Sequence, residues 1–234
     1  MCHPGRIDII RTGVLLLLLL AACQAPAPAP ATATPPVPTA APSATPAPPK
    51  ATPQPETPPT PAPEKSTLCE SHATSEYVLP YPVGVTYRVL QGFDGRWSHY
   101  DAFQYAVDFD TPIGSPVTAA RAGRVVFVEE SFTDADSGME NANVVIVRHA
   151  DGTYGRYVHL TYNGALVEVD QSVAQGDPVG LSGSSGIPEL PHLHFDVTQD
   201  CPQSTCQTIP VCYQNTQAHP AGLVVGESYT AEPY

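Results

Sequence analysis

Two histidines one residue apart, His192 and His194 in the stretch GIPELPHLHFDV (186–197), have chemistry in their spacing. On a strand, residues i and i+2 project from one face, so the two imidazoles emerge together while Leu193 and Phe195 face away. Side-by-side imidazoles can share a metal ion, or one can bind metal while the other moves protons. A hydrogen-bonded surface pair has the same spacing. Pro191 just before them marks a strand start. Two further residues belong with the pair by type. Asp108 sits inside the apolar run Tyr105-Ala106-Val107-Asp108-Phe109, where a carboxylate is costly unless paired or metal-bound. His159 sits in Tyr157-Val158-His159-Leu160, also on an apolar strand flank, and alone it would read as structural. Together, one aspartate and several histidines on strands, with no other charge cluster, suggest a zinc site, since zinc takes imidazole and carboxylate ligands.

The elements that must hold these residues read as strands. Helical periodicity is scarce after Leu68. Runs rich in Val, Ile and Tyr recur between Gly, Pro and Asp clusters: GRVVFVEES, ANVVIVRH, TYGRYVHL, ALVEVD, DPVGLSG and LHFDVTQ. Such spacing predicts an all-β sandwich or barrel-like domain. Asp151-Gly152 predicts a hairpin joining 144–148 to 153–159, with His149 as a turn residue. Gln175-Gly176-Asp177 and Ser182-Gly183-Ser184 predict further turns. The polar stretch Ser131 to Asn143 carries Asp134, Asp136 and Glu140 without the spacing of an EF-hand. It reads as a solvated loop bordering a groove. Tyr100, Phe103 and Tyr157 are candidates to line that groove, although aromatic residues of β-domains also fill cores.

The rest of the chain bounds the setting. Lys and Arg number 10 against 23 Asp and Glu, for a formal net charge of −13. That balance argues against nucleic acid as a partner. At the start, Arg6 and Arg11 precede an apolar run, Val14 to Ala22. The run is shorter than the roughly 20 residues of a membrane-spanning helix and suits a secretory signal. Leu20-Ala21-Ala22-Cys23 then resembles a lipobox, with Cys23 as the lipidated residue. The expected organisation is a signal peptide at 1–22, a lipidated Cys23 with a Pro/Ala/Thr-rich linker to residue 66, and one domain at 67–234. The linker has too little apolar surface to offset chain entropy and is expected to be disordered. Extended at about 3.1 Å per residue, it would hold the domain off a membrane as a semi-stiff spacer. The expected location is therefore extracytoplasmic, in the cell envelope, with the membrane engaged through the lipid. Cys69, Cys201, Cys206 and Cys212 remain in the domain. In an oxidising compartment they predict two disulfides, with Cys69 joined to one of the other three. A cysteine-based zinc site is disfavoured by the lack of Cys-x-x-Cys spacing.

Between about Gln91 and Val197, four collinear stretches resemble the lysostaphin-type, or LytM-type, zinc metalloendopeptidases. They are YAVDFDTPIGSPVTAARAGRVVFV, NVVIVRHADGTYGRYVHL, VDQSVAQGDPVGLSGSSG and PHLHFDV. Members of that family cut peptide cross-bridges or stems of bacterial peptidoglycan. The resemblance implies a small antiparallel β-sandwich of hybrid-motif type with one zinc in a groove. It assigns Asp108 and His194 as zinc ligands, and His159 and His192 as catalytic residues. The commonest family pattern has a third ligand, a histidine four residues before the aspartate, where this chain has Gln104. Glutamine is a poor zinc ligand. The sequence resembles a branch with Ser-His further upstream and an Asn-Thr-x-x-His-Pro-x-Gly-Leu stretch downstream, here Ser98-His99 and Asn215 to Leu223. His99 is then the expected third ligand. The implied activity is metal-assisted hydrolysis of peptidoglycan peptides. The alternative is an inactive binding or regulatory module with a degenerate zinc site, and zinc content separates the two.

Overall fold

The computed structural model describes residues 68–187 and 190–234. The expected signal peptide, Cys23 and the linker lie outside the described residues. The strands are β1 (Thr86–Gln91), β2 (Val107–Phe109), β3 (Pro116–Thr118), β4 (Gly123–Glu129), β5 (Asn143–Arg148), β6 (Thr153–Ala165), β7 (Ser172–Val173), β8 (Pro178–Ser182), β9 (Leu193–Gln199) and β10 (Ser228–Thr230). They form a main sheet in the order β10-β1-β2-β9-β6-β5-β4-β7, and β3 with β8 forms a short ladder that branches from β6. Every strand pair is antiparallel. The all-β antiparallel class expected from the sequence is the class observed. Among the described residues the only helices are three-residue 3-10 turns, and no helix is long and apolar enough to cross a membrane.

β6 holds the arrangement together. Its first half pairs with β5 on one side and β9 on the other, and from Leu160 onward it pairs with β8. The change occurs at a bulge. Asn143 lies opposite Leu160 and Val144 opposite Val158, so His159 is the extra residue. His159 has φ 64, the left-handed region that a non-glycine residue rarely occupies. A bulge of this kind bends a strand and re-aims one side chain.

The core lies along one face of the central strands. Leu193, Phe195 and Val197 of β9 join Val89, Phe109, Val145, Val147, Tyr157, Leu160 and Tyr213 in a single cluster, which Val117 of β3 and Val179 of β8 also enter. Each such side chain removed from water contributes about 1.5–3 kcal/mol before entropy is counted. The alternate residues of β9, His194 and Asp196, point the other way and are still buried.

The Asp151-Gly152 hairpin forms where the sequence puts it, with Gly152 at φ 87. His149 precedes that turn and is buried, its Nδ1 2.9 Å from the Ala122 carbonyl. Two local expectations need correction. ALVEVD is not a strand beyond Ala165, where β6 ends. Leu166 and Asp170 each donate one backbone bond, to Val179 and Val125, and Gln171 turns back onto Glu168, so no ladder can run. The turn expected at Ser182-Gly183-Ser184 falls later, because Ser182 closes β8 and Gly183 bridges to His192. A Cβ on Gly183 would stand 2.4 Å from the Thr161 backbone nitrogen, so only glycine lets the two segments come this close. The cysteines pair as Cys69–Cys212 and Cys201–Cys206. The first fits the expectation that Cys69 joins one of the three later cysteines.

Candidate metal centre

Neighbouring strands bring the first two residues together. Asp108 on β2 and His194 on β9 are direct cross-strand partners, and His194 Nδ1 lies 2.9 Å from Asp108 Oδ1. His99 arrives from the loop between β1 and β2 and is completely buried. Its Nδ1 lies 3.0 Å from the Gly92 carbonyl. A carbonyl only accepts, so Nδ1 carries the proton and Nε2 keeps its lone pair. That Nε2 is 3.1 Å from Asp108 Oδ1 but off the line of a hydrogen bond, and it is a buried nitrogen with no hydrogen-bond partner. One donor atom each from His99, Asp108 and His194 lies within 4.8 Å of the other two.

A single amide braces this cluster from behind. Gln91 Oε1 accepts from the backbone N–H of Trp97, at 3.0 Å, and of Ser98, at 3.2 Å. Its Nε2 donates to Ser98 Oγ, at 2.8 Å, and to Asp108 Oδ2, at 3.1 Å. The same side chain thus holds the carboxylate and the loop that delivers His99. Gln104, at the family's usual ligand position, turns away and donates to Asp94 at 2.8 Å. The downstream stretch also supports the loop. A Cβ on Gly92 would lie 2.8 Å from the Leu223 carbonyl oxygen, and Phe93 packs onto Gly222.

His159 and His192 stand beside the cluster with ring centroids 4.5 Å apart. His159 Nδ1 donates to the Ser185 carbonyl at 2.7 Å, and His192 Nδ1 donates to the Leu190 carbonyl at 2.7 Å. Both rings therefore present Nε2 as a basic lone pair. That of His192 is 3.8 Å from Asp108 Oδ1. Burial, helped by the neighbouring imidazoles, pushes His159 down to about 3. Burial also lowers His192, against the pull of Asp108. Both are neutral near pH 7. Burial acts on His194 in the same direction, but its hydrogen bonds to Asp108 and Asp196 outweigh that and raise it to about 9. Burial would raise Asp108, yet the hydrogen bond and the charge of His194 hold it well below the usual carboxylate range. In the absence of metal, a proton on His194 supplies the positive charge that this carboxylate requires.

The donor set fits zinc. Two imidazole nitrogens and one carboxylate oxygen converge, and the imidazole proton of His99 is already committed to a carbonyl on its far side. A groove of about 1200 Å³ runs past His194 over the outer face of the sheet, lined by Phe103, Phe127, Val144, Ile146 and Val158 among others. Phe132 and Met139 from the polar loop border it. In that loop Asp134 accepts from Thr161 and Ser184, and Asp136 accepts from Thr133. Both carboxylates brace the loop. Tyr100 lies beside His99 at a neighbouring opening. Tyr157 belongs to the core, where its hydroxyl accepts from the Ala120 N–H. Sequence reasoning missed Gln91, Arg156 and Asp196. The available signal was the same one that drew attention to Asp108, a polar or charged residue inside an apolar strand.

Residues 102–206 match peptidase family M23. The matched segment contains Asp108, His159, His192 and His194 and begins after His99. The peptidoglycan DD-endopeptidase ShyA of Vibrio cholerae is 33% identical over 121 residues, which is 50% of this chain and 26% of that protein. Lysostaphin of Staphylococcus staphylolyticus is 33% identical over 118 residues, 50% of this chain and 20% of that protein. Among solved structures, a zinc-containing peptidase from Vibrio cholerae is 28% identical with a TM-score of 0.42, covering 58% of this chain and 39% of that one. Over this segment the chain is similar to peptidase family M23 and to the two endopeptidases named. It spans about a quarter or less of the length of the curated relatives named here.

Proposed function

We propose that the domain is a zinc-dependent endopeptidase acting on the peptide cross-links or stems of bacterial peptidoglycan, with one zinc held by His99, Asp108 and His194. The observation that carries this reading is the buried, unpartnered Nε2 of His99, grouped with donor atoms of Asp108 and His194. Homology to ShyA and lysostaphin supports the substrate class. Bound zinc supplies Lewis acidity, activating water at neutral pH and polarising the scissile carbonyl. The chain's own residues do the rest. The groove beside His194 receives an extended peptide, and the neutral Nε2 atoms of His159 and His192 handle the protons. One proton leaves the attacking water as its oxygen bonds to the carbonyl carbon. It is delivered to the amine nitrogen as the C–N bond breaks.

The full chain should contain one zinc and release peptides from purified peptidoglycan, with both properties removed by a chelator and restored by zinc. Elemental analysis and chromatography of the released peptides are the measurements. A chain that takes up zinc and releases nothing from peptidoglycan of several cross-link types would overturn the enzymatic reading. The N-terminal sequence supports an envelope lipoprotein anchored through Cys23. In that case Cys23→Ala should move the protein from the membrane fraction to the soluble fraction of a bacterial host, and an unchanged distribution would refute the anchor.

A further inference from the structure

Behind His194 lies a charged pair that the reaction itself does not use. Asp196 is two residues along β9 and on the same face. Arg156 on β6 is its direct cross-strand partner. Both are almost fully buried. Arg156 Nε donates to Asp196 Oδ1 at 2.6 Å, and Nη2 donates to Oδ2 at 2.8 Å. The same Oδ2 lies 2.9 Å from His194 Nε2. Arg156 is fixed on two further sides, because Nη1 donates to the Gln203 carbonyl and the guanidinium sits over the Phe103 ring at 5.6 Å. Gln203 lies within the small loop closed by Cys201–Cys206.

A buried ion pair is a weak source of stability, because desolvation cancels much of its attraction. Its placement here gives it another use. We propose that Asp196, locked by Arg156, is a positioning residue that holds His194 with its Nε2–H on the Asp196 carboxylate and its Nδ1 facing the metal donors. The inference rests on the zinc reading above. An ionised carboxylate held in a guanidinium fork can only accept, so Nε2 must donate. Nδ1, 2.9 Å from Asp108, is then the nitrogen that would give up its proton when a metal is held there, turning its lone pair to the side of Asp108 and His99. A carboxylate behind a ligating imidazole also makes that imidazole a better donor. Without Asp196 the ring could turn, or exchange tautomers, and present the wrong nitrogen.

The experiment uses the full chain loaded with zinc or cadmium-113. Asp196→Asn keeps the size of the side chain but weakens the acceptor and lets Arg156 go unpaired. Zinc affinity, read by competition with a chromophoric chelator, should fall by about 10- to 100-fold. In nitrogen-15 spectra the parent should show metal coupling at His194 Nδ1 and a retained Nε2–H, and Asp196→Asn should lose the uniform Nδ1 signature. Arg156→Lys keeps the charge without the fork, and its affinity should fall between the two. Circular dichroism identifies variants that fail to fold, and in that event the coupling in the unsubstituted chain still decides. Metal coupling at Nε2 in the parent overturns the inference, as does undiminished affinity in a folded Asp196→Asn. A parent that binds zinc with these signatures but hydrolyses nothing overturns the proposed function alone. A parent that binds no zinc overturns both.

Discussion

His159 combines two residue-scale features that pull against each other. Its ring is buried and hydrogen-bonded through Nδ1, while its backbone sits at φ 64. A non-glycine residue in that region costs on the order of 1–3 kcal/mol, and the surrounding structure must over-determine it. Here the β6 bulge and the Ser185 carbonyl do so. Asparagine visits the left-handed region more readily than most residues but offers no basic nitrogen. His159→Asn should therefore keep the fold and the zinc, with a thermal midpoint close to the parent's, and lose roughly 100- to 10,000-fold in peptide release. His192→Ala should behave likewise, whereas His194→Ala should lose zinc and activity together. Equal zinc loss in His192→Ala and His194→Ala would make the two co-ligands and break this division. At this scale Asp108 and the HxH pair stood out as polar groups on apolar stretches, while His159, which alone reads as structural, was singled out with them and given its role by the family resemblance. The tautomers were not legible, because they are set by the carbonyls of Gly92, Ser185 and Leu190, which have no signature in side-chain type.

At the scale of elements, strand existence was legible from β-branched runs and the hairpin from Asp-Gly. The ALVEVD run failed because its alternation resembles a strand while its backbone has no neighbouring strand to pair with. The delivery of His99 was not legible either, since it depends on Gln91 and on the packing of the Asn215–Leu223 stretch against Gly92 and Phe93. That stretch carries its own titratable group. His219 Nε2 accepts from the Tyr213 N–H at 3.1 Å while Nδ1 donates to the Gln217 carbonyl at 2.8 Å, so only the neutral ring satisfies both bonds. Burial lowers its pKa, partly offset by the Gln217 bond. A histidine depressed in the folded state binds its proton more readily when unfolded. Its contribution is complete above the unfolded value of about 6.5 and is lost as pH falls below it. In chemical denaturation between pH 7 and pH 5, the parent should lose stability more steeply than His219→Gln. Parallel pH profiles would remove His219 from the account.

For the molecule as a whole, the two disulfides do unequal work. Cys69–Cys212 spans 143 residues and ties the domain's first described turn to the segment that follows the last site strand. The Cys69 N–H also donates to the Pro220 carbonyl, so the bridge reinforces a contact already present. Cys201–Cys206 spans only 5 residues. Loop-closure entropy makes the long bridge worth about 5 kcal/mol and the short one about 2 kcal/mol at most. In a domain of this size, 1 kcal/mol moves the melting temperature by about 2–4 °C. Replacing Cys69 and Cys212 together by serine should therefore lower the midpoint of the full chain by roughly 10 °C or more, and replacing Cys201 and Cys206 should lower it by clearly less. The long bridge also secures the segment that packs behind Gly92, so its loss should weaken zinc binding as the His99 loop loosens. Scanning calorimetry of the two double variants, with zinc affinity measured on each, provides the comparison. If the short bridge proved the more stabilising of the two, end-to-end closure would not be what holds this domain together.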